Sequence, residues 1–434
     1  MKIIILILFL FIGVGCSQYK KEDILLQIGD HKLSVADYEY IRNNAKYKKY
    51  GDEQLQNALI EEGKLIAFAL DHKYDTIGEL NKQLEYAAYY YASRVDGYVW
   101  NKKVKPLLKV PDENVQNSMS SRELVNSLKQ KYIGESQRQI MTDTNPEMYD
   151  DAISEVASKV NAGENRWSGI DRNLLLMGYD FNGMRQHYTV ANLMEFVQCQ
   201  PLFWGTLSNP EDIKEILKTH LVNISLFAEA QQMGMEDDEE YQLFKRNCQR
   251  GLLLHHYKQK NIYPAISIQE EEIRDYYQQH ENEWKCFEKA SIIVYCFKDI
   301  KDALKGRRQI ESGELENIGN IRRNNTLFTR IQNTDIEVKE TNYDKRFIDL
   351  ISHLNIGQIS APFKVGDEYQ IIRLSSRDGV ITKPLEYVKD EIQQKLFSIR
   401  EHEITLQQVE ELQMLYPLAV NRIKEYVKEN SNML

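Results

Sequence analysis

The chain has 434 residues and a formal net charge of −10, from 55 Lys and Arg against 65 Asp and Glu. Such an acidic surface repels nucleic acid and anionic lipid headgroups, so neither is an expected partner. The length predicts two or three domains. The sequence contains no HExxH motif, no Gly-rich phosphate loop and no CxxC pair, and we therefore expect neither a metal site nor a small-molecule cofactor.

Residues 1–15 have the features of a secretory signal. Lys2 precedes an apolar run that ends at Gly15, and this run is shorter than the roughly 20 residues of a membrane-spanning helix. The following Cys16 completes a pattern that resembles a bacterial lipobox, in which the cysteine is acylated and becomes the new N-terminus. We therefore predict a lipid-anchored protein of the bacterial envelope that faces the periplasm, with the outer membrane as the favoured site. An ordinary signal peptide or an uncleaved anchor is the alternative.

Segments of the first half recur in the second half in the same order. Each member of the first pair starts a predicted helix behind a hydroxyl residue, which is a good N-cap. The pairs are 33–38 with 188–193, 65–70 with 224–230, and 104–115 with 262–273. This order predicts a duplicated helical unit, with a first copy at residues 16–116 and a second copy at 181–284.

Both copies continue into a weaker matching segment. Residues 136–141 are predicted as a strand, followed by a helix from about 148 to 163. Residues 289–294 are likewise predicted as a strand, followed by a helix at 301–313 that ends on Gly313. Only the second copy goes on into a longer α/β segment, which we place at 285–380.

The C-terminal region, residues 381–434, is predicted to be helical. After Pro384, apolar residues recur every three or four positions, at Leu385, Val388, Ile392, Leu396 and Ile399. A further helix is predicted from 406 to 427. Because these helices would expose a long apolar stripe on their own, we expect them to pack on the helical units.

Four cysteines remain after Cys16. An exported protein can oxidise them, and pairs of Cys286 with Cys296 or Cys199 with Cys248 are both conceivable. Four buried free thiols are equally compatible with the sequence. The pairing therefore stays open at this point.

The order of these elements resembles the SurA/PrsA class of exported parvulin-type foldases. The resemblance is carried by the acidic and aromatic segment 270–284 and by the spacing of Phe347, Leu354, Gly357, Ile359, Ser360, Pro362, Ile371 and Ile372. It implies an α+β fold of mainly helical, duplicated SurA-like chaperone units with one small degenerate parvulin-like α/β module and C-terminal helices. It also implies that residues 117–180 are a remnant or a shortened parvulin-like insert.

The resemblance implies a site for rotation about X-Pro bonds, which in parvulins lies in an apolar pocket beside two histidines. Carried over by position, the two histidines fall on Ser291 and Gln370, the pocket aromatic is Phe347, and its apolar neighbour is Tyr343. Neither Ser nor Gln titrates near neutral pH, so we expect weak or no isomerase activity. The two side chains could still hydrogen-bond to one another across the sheet.

An aromatic run at residues 86–91 provides candidates for polypeptide binding. Tyrosine combines a rigid apolar ring with a polar tip, which suits the binding of extended chains. We select Tyr89, Tyr91 and Trp100 as candidate client-binding residues. Packing in the core of the helical unit is the alternative for all three.

Three functions are compatible with the sequence. The favoured hypothesis is a lipid-anchored periplasmic chaperone or foldase that binds unfolded exported or outer-membrane proteins. The second is an active peptidyl-prolyl cis-trans isomerase with a depleted site. The third is an accessory envelope lipoprotein with one dedicated protein partner.

Overall fold

The computed structural model describes residues 19–94, 97–107, 119–160, 167–199, 207–312, 328–338, 345–366 and 368–431. The predicted lipidation site Cys16 and the predicted pocket residue Tyr343 lie outside the described residues. Within these ranges, no helix combines the length and the apolar composition needed to cross a membrane. The chain divides into two compact units, which we name the helical unit (Met1–Tyr263 with Thr405–Leu434) and the sheet module (Pro264–Ile404).

The first copy of the helical unit begins with a β-hairpin and continues into three helices. Its elements are β1 (Ile24–Ile28), β2 (His31–Ser34), α1 (Val35–Arg42), α2 (Asp52–Asp71) and α3 (Gly78–Ser93). A π-helical turn (Trp100–Val104) follows. The first copy then ends in a tail of α4 (Met119–Thr144), β3 (Glu147–Met148) and α5 (Asp150–Lys159).

The second copy repeats this order. Its elements are β4 (Leu175–Phe181), β5 (Met184–Thr189), α6 (Val190–Cys199), α7 (Pro210–Gln232) and α8 (Glu239–Asn261). The sheet module then supplies α9 (Glu270–Gln279), β6 (Lys285–Cys286), β7 (Lys289–Phe297), α10 (Ile300–Glu311), β8 (Phe328–Glu337), α11 (Lys345–His353), β9 (Phe363–Val365), β10 (Glu368–Asp378) and β11 (Ile381–Thr382). A second tail consists of α12 (Leu385–Leu412), β12 (Leu418–Asn421) and α13 (Ile423–Ser431).

Matching caps start the corresponding helices α1 and α6, in agreement with the predicted duplication. Ser34 caps α1: its Oγ accepts from the Asp37 backbone N at 3.2 Å, and Asp37 Oδ2 accepts from the Ser34 N at 3.1 Å. Thr189 makes the same reciprocal pair of hydrogen bonds with Asn192, at 3.4 and 2.9 Å. Both are capping boxes, which satisfy backbone N–H groups at the start of a helix. The predicted α+β class is confirmed.

The two copies exchange their tails. The tail strand β3 of the first copy pairs with β4 of the second hairpin, whereas β12 pairs with β1 of the first hairpin, and both pairings are antiparallel. In the same way α5 packs on α7, and α13 packs on α2. The long helices also cross over, because α2 packs on α8 while α3 packs on α7 and α8. The helical unit is thus an intertwined pair of similar halves.

Two predictions from the sequence are wrong. The predicted strand at 136–141 lies within α4, a 26-residue helix rich in Glu, Gln and Lys, which are good helix formers. Structurally, α4, β3 and α5 correspond to α12, β12 and α13 rather than to a parvulin strand. The predicted helix at 406–427 is interrupted, since α12 ends at Leu412 and β12 begins directly after Pro417, a residue that cannot continue a helix.

The sheet module is built on a four-stranded antiparallel sheet in the order β8-β7-β10-β9. The strand and helix predicted at 289–294 and 301–313 are confirmed as β7 and α10. One face of the sheet packs on α11 through Val294 and Ile372, and the other packs on α10 through Phe297. A Cβ at Gly306 of α10 would lie 2.3 Å from the Phe297 ring, so this close approach of helix and sheet requires glycine.

Candidate functional site

Gln370 lies on β10, an inner strand of the four-stranded sheet of the sheet module, on the face covered by α11. Its direct neighbours are Cys296 on β7 and Phe363 on β9. Gln370 is 7% exposed and Cys296 is fully buried. The ring of Phe363 meets that of Phe347 from α11 edge to face, with centroids 5.3 Å apart. Gln370 and Cys296, which are buried, and Phe347 and Phe363, which are partly buried, therefore form one cluster, which we name the Gln370 site.

The electrostatics of the Gln370 site favour neutral groups. Burial raises the pKa of the Cys296 thiol, and Arg330, whose Nη2 lies 3.5 Å from Sγ, opposes this only in part. The thiol is therefore protonated at neutral pH and is a poor nucleophile. Arg330 in turn lies 3.6 Å from the carboxylate of Glu368. A polypeptide segment bound at this site would therefore contact the aromatic rings of Phe347 and Phe363. It would also lie beside the carboxamide of Gln370, which can both donate and accept hydrogen bonds.

Ser291 does not belong to this site. It lies an odd number of positions from Cys296 along β7, and alternate side chains of a strand point to opposite faces. Ser291 pairs in register with Ser376, and its Oγ donates to Asp335 at 2.5 Å. The predicted hydrogen bond between Ser291 and Gln370 is therefore wrong. Exposure alternates along residues 289–294, with Ile292 and Val294 buried on the α11 face and Ser291 on the opposite face.

A wide groove opens in the helical unit, with a volume of about 1170 Å³. Helix α1 of the first copy and the start of α8 from the second copy form its walls, and β2 lies along it. Tyr40, which is 36% exposed, and Leu243 provide apolar surface. Within the groove, Asp37 accepts from Arg246 at 3.4 Å and from Asn247 at 3.2 Å. We name this feature the α1–α8 groove.

Two of the three predicted client-binding aromatics are buried in the helical unit. Tyr91 is 8% exposed and its ring lies 4.5 Å from that of Phe244. Trp100 is 2% exposed and packs against Tyr132 at 5.2 Å. Tyr89 is half-buried and packs on Phe227, with ring centroids 4.8 Å apart.

Sequence reasoning missed Tyr90, which is 53% exposed. No local signal separates it from its neighbours, because its exposure depends on where distant helices pack. For Tyr91, core packing was the correct alternative.

The cysteines and the possible metal ligands were the remaining candidate groups. All four described cysteines, Cys199, Cys248, Cys286 and Cys296, are free thiols. Among the described residues, no group of three His, Cys, Asp or Glu side chains is arranged to hold a metal ion.

Comparison with known proteins gives one family match. Residues 268–390 match the family described as the PPIC-type PPIASE domain. This range covers α9 and every element from β6 to β11, and it includes all four members of the Gln370 site. No curated protein matches the chain.

Solved structures of similar proteins are chaperones and foldases. One structure, from work on the virulence factor PEB4 and the periplasmic protein Cj1289, two SurA-like chaperones of Campylobacter jejuni, is 18% identical, covers 54% of this chain and 86% of its own, and has a TM-score of 0.28. PrsA from Bacillus subtilis is 16% identical, with coverage of 52% and 88% and a TM-score of 0.18. Foldase protein PrsA from Streptococcus pneumoniae is 12% identical, with coverage of 54% and 92% and a TM-score of 0.19.

These TM-scores all lie below 0.5, so the family assignment follows from the match at 268–390. That match confirms the parvulin-type module that the sequence predicts. Residues 268–390, which make up most of the sheet module, are therefore a domain of the PPIC-type PPIase, or parvulin, family.

Proposed function

We propose that this protein is a chaperone that binds unfolded exported or outer-membrane polypeptides in the α1–α8 groove, with a parvulin module that contributes little catalysis. The groove itself is the observation that carries the proposal. Its volume of about 1170 Å³ exceeds the range of about 300 to 1,000 Å³ that is usual for small-molecule pockets. An extended polypeptide segment is an occupant of suitable size.

The chemistry of the groove also suits a polypeptide. Val35, Tyr40 and Leu243 offer apolar contacts, while Lys32, Glu239 and Arg246 place charges of both signs along the walls. Strand β2 is the edge of its three-stranded sheet, and its residues Lys32 and Ser34 line the groove. An extended segment bound there can add to the sheet through main-chain hydrogen bonds, a mode of recognition that depends little on client sequence.

The N-terminal sequence supports a location in the cell envelope. We propose that Cys16 is lipidated and that the protein faces the periplasm from the outer membrane, where unfolded envelope proteins are available as clients. Membrane attachment would then come from the acyl chains, because stable anchoring takes two such chains or an additional signal. No cofactor is part of this proposal.

Residual prolyl isomerisation is a second candidate activity, favoured by the aromatic wall of Phe347 and Phe363 beside Gln370. Rotation about an X-Pro bond faces a barrier of roughly 18–20 kcal/mol and needs only a pocket that stabilises the twisted amide. The test is the relaxation rate of a proline peptide in the presence of the soluble protein and of its Phe347→Ala variant. Acceleration by the soluble protein that is lost in the variant supports the activity, and no acceleration excludes it.

The chaperone proposal is tested with the soluble form, in which Cys16 is replaced and residues before it are removed. We expect this form to suppress the aggregation of an unfolded outer-membrane protein after dilution from urea. Tyr40→Glu places a charge in the groove and should reduce this protection at least several-fold.

Tyr50→Glu is the matched control, because Tyr50 is 37% exposed, close to the 36% of Tyr40, and does not line the groove. Equal protection by both variants would contradict the groove as the client site. Stoichiometric capture of one partner, without general protection, would instead favour a dedicated accessory role.

A further inference from the structure

A second cavity lies within the helical unit, separate from the α1–α8 groove. It has a volume of about 410 Å³ and is formed by α3, α4, α6 and α7 with the π-helical turn at Trp100. Aromatic rings dominate its walls, from Tyr86, Tyr90, Trp100, Tyr132 and Phe196. We name it the aromatic pocket. π-helical turns are rare and frequently occur at functional sites.

The lining of the aromatic pocket includes one charged side chain, that of Arg94. Of the described residues that line it, Arg94 alone is charged, although the chain as a whole carries a net charge of −10. The Arg94 guanidinium lies 5.7 Å from the ring centroid of Tyr90 and 5.4 Å from that of Tyr91. Within the described part of the chain, no carboxylate forms an ion pair with Arg94. Arg94 is exposed, so its guanidinium is accessible to an anionic group bound in the pocket.

Neutral polar side chains complete the lining. Ser136 and Gln137 of α4 face the pocket from one side and Asn223 of α7 from another. Hydroxyl and carboxamide groups can satisfy the N–H and C=O groups of a bound peptide, which would otherwise lose hydrogen bonds to water on burial. A simple aliphatic or aromatic acid has no such groups to satisfy.

We propose that the aromatic pocket binds the C-terminal residue of a client polypeptide, with an aromatic side chain among the rings and the terminal carboxylate on Arg94. A guanidinium and a carboxylate form strong, often bidentate hydrogen bonds, and aromatic rings gain further from edge-to-face contacts. This inference rests on the proposed function because the occupant belongs to a client. It adds the class of client, which is a chain that ends in an aromatic residue.

The test measures the binding of two fluorescently labelled peptides to the soluble protein by anisotropy. Both peptides end in phenylalanine, and they differ only in a free or an amidated C-terminus. We expect the amidated peptide to bind at least about tenfold more weakly. Arg94→Gln should weaken binding of the free acid by a similar factor and leave binding of the amide unchanged. The control variant Arg138→Gln removes an exposed arginine that does not line the pocket, and it should bind like the unmodified protein.

Equal affinities for the two peptides, or unchanged binding in Arg94→Gln, would overturn the proposal. 3-Phenylpropionate serves as a competitor of the peptide with the free C-terminus. If 3-phenylpropionate binds as tightly as that peptide, the pocket is a site for small aromatic acids and the proposal is overturned. Tyr90→Ala is a second variant that should fold, because Tyr90 is 53% exposed, and it should also weaken the free peptide. Since Tyr40→Glu should leave peptide binding intact, failure of the groove proposal and failure of this one give different results.

Discussion

The two halves of the helical unit build equivalent helix pairs with different chemistry. Where α2 meets α8, a buried ion pair joins Glu62 to Arg250, with side-chain exposures of 13% and 10%. Where α3 meets α7, aromatic rings form the contact instead, and the ring centroids of Tyr86 and His220 lie 5.4 Å apart. One backbone arrangement therefore tolerates both a charged and an aromatic interface. The shared features are the hairpins, the caps and the exchanged tails.

Further side chains contact Glu62 of the buried ion pair. Lys46 Nζ and Tyr47 Oη each lie 2.8 Å from Glu62. Burial alone would raise the pKa of Glu62, but the charges of Arg250 and Lys46 outweigh it, and the pKa lies below its ordinary value. The carboxylate therefore stays ionised, and neither charge of the pair is buried without a partner.

The aromatic pair depends on a neutral histidine. His220 stacks on Phe196 with centroids 4.6 Å apart, and its Nδ1 lies 2.6 Å from the Tyr188 hydroxyl. Burial, with a smaller effect of Lys82, lowers the pKa of His220 to about 4. A proton on this ring would therefore place an unpaired charge in the aromatic cluster.

The largest expected effect comes from breaking the charged interface. Glu62→Gln leaves Arg250 buried without its counter-ion, and we expect the free energy of unfolding to fall by about 3 to 5 kcal/mol. The double variant Glu62→Leu/Arg250→Met should recover most of this loss, because no charge is then left unpaired. Urea unfolding measures both effects.

The control for this prediction is an exposed pair. Glu155 and Lys159 lie 2.6 Å apart with side-chain exposures of 44% and 45%. Glu155→Gln should change the free energy of unfolding by less than about 1 kcal/mol, as is usual for surface ion pairs. Similar losses in Glu62→Gln and Glu155→Gln would remove the distinction between the two kinds of pair.

The aromatic interface should show its character in acid. Because the folded-state pKa of His220 is depressed, the unfolded chain binds more protons between about pH 6.5 and 4, and stability falls as the pH drops through this window. Between pH 6.5 and 5, this single group should account for about 2 kcal/mol. His220→Phe keeps an aromatic ring at this position but cannot bind a proton. Between pH 6.5 and 5, the free energy of unfolding of this variant should therefore fall by about 2 kcal/mol less than that of the unmodified protein. Parallel pH profiles for the two proteins would contradict the buried neutral histidine.

The smallest effects are expected at the shared caps. Ser34→Ala and Thr189→Ala each remove a side-chain oxygen that accepts from the first turn of a helix. Each substitution should lower the free energy of unfolding by about 1 kcal/mol. Similar losses at both sites would support the equivalence of the two halves, and a large difference would weaken it.

Local patterns in the sequence were sufficient to predict the duplication. The caps at Ser34 and Thr189 and the strand β7 are encoded by neighbouring residues, which is why they could be recognised. The exchange of tails could not be predicted, because β12 pairs with β1 from the opposite end of the chain. A period of two along a strand also fixes which side chains share a face, but only the register of β7 on β10, which pairs Gln370 with Cys296, separates Ser291 from the Gln370 site.

The proposed client-binding surface was harder to predict for the same reason. Tyr89, Tyr90 and Tyr91 are consecutive and chemically identical, and only the packing of α3 on α7 and α8 decides which ring reaches solvent. The α1–α8 groove combines residues of two copies that are far apart in sequence. Its existence follows from the tertiary arrangement rather than from any motif.

We propose that clients bind in the α1–α8 groove rather than at the Gln370 site. Photo-crosslinking distinguishes the two sites, with benzoylphenylalanine placed in turn at positions 40, 50 and 347 of the soluble protein. After mixing with an unfolded outer-membrane protein, we expect strong crosslinks from position 40 and only background from position 50. Crosslinks from position 347 alone, with none from position 40, would contradict the claim and assign client binding to the parvulin module.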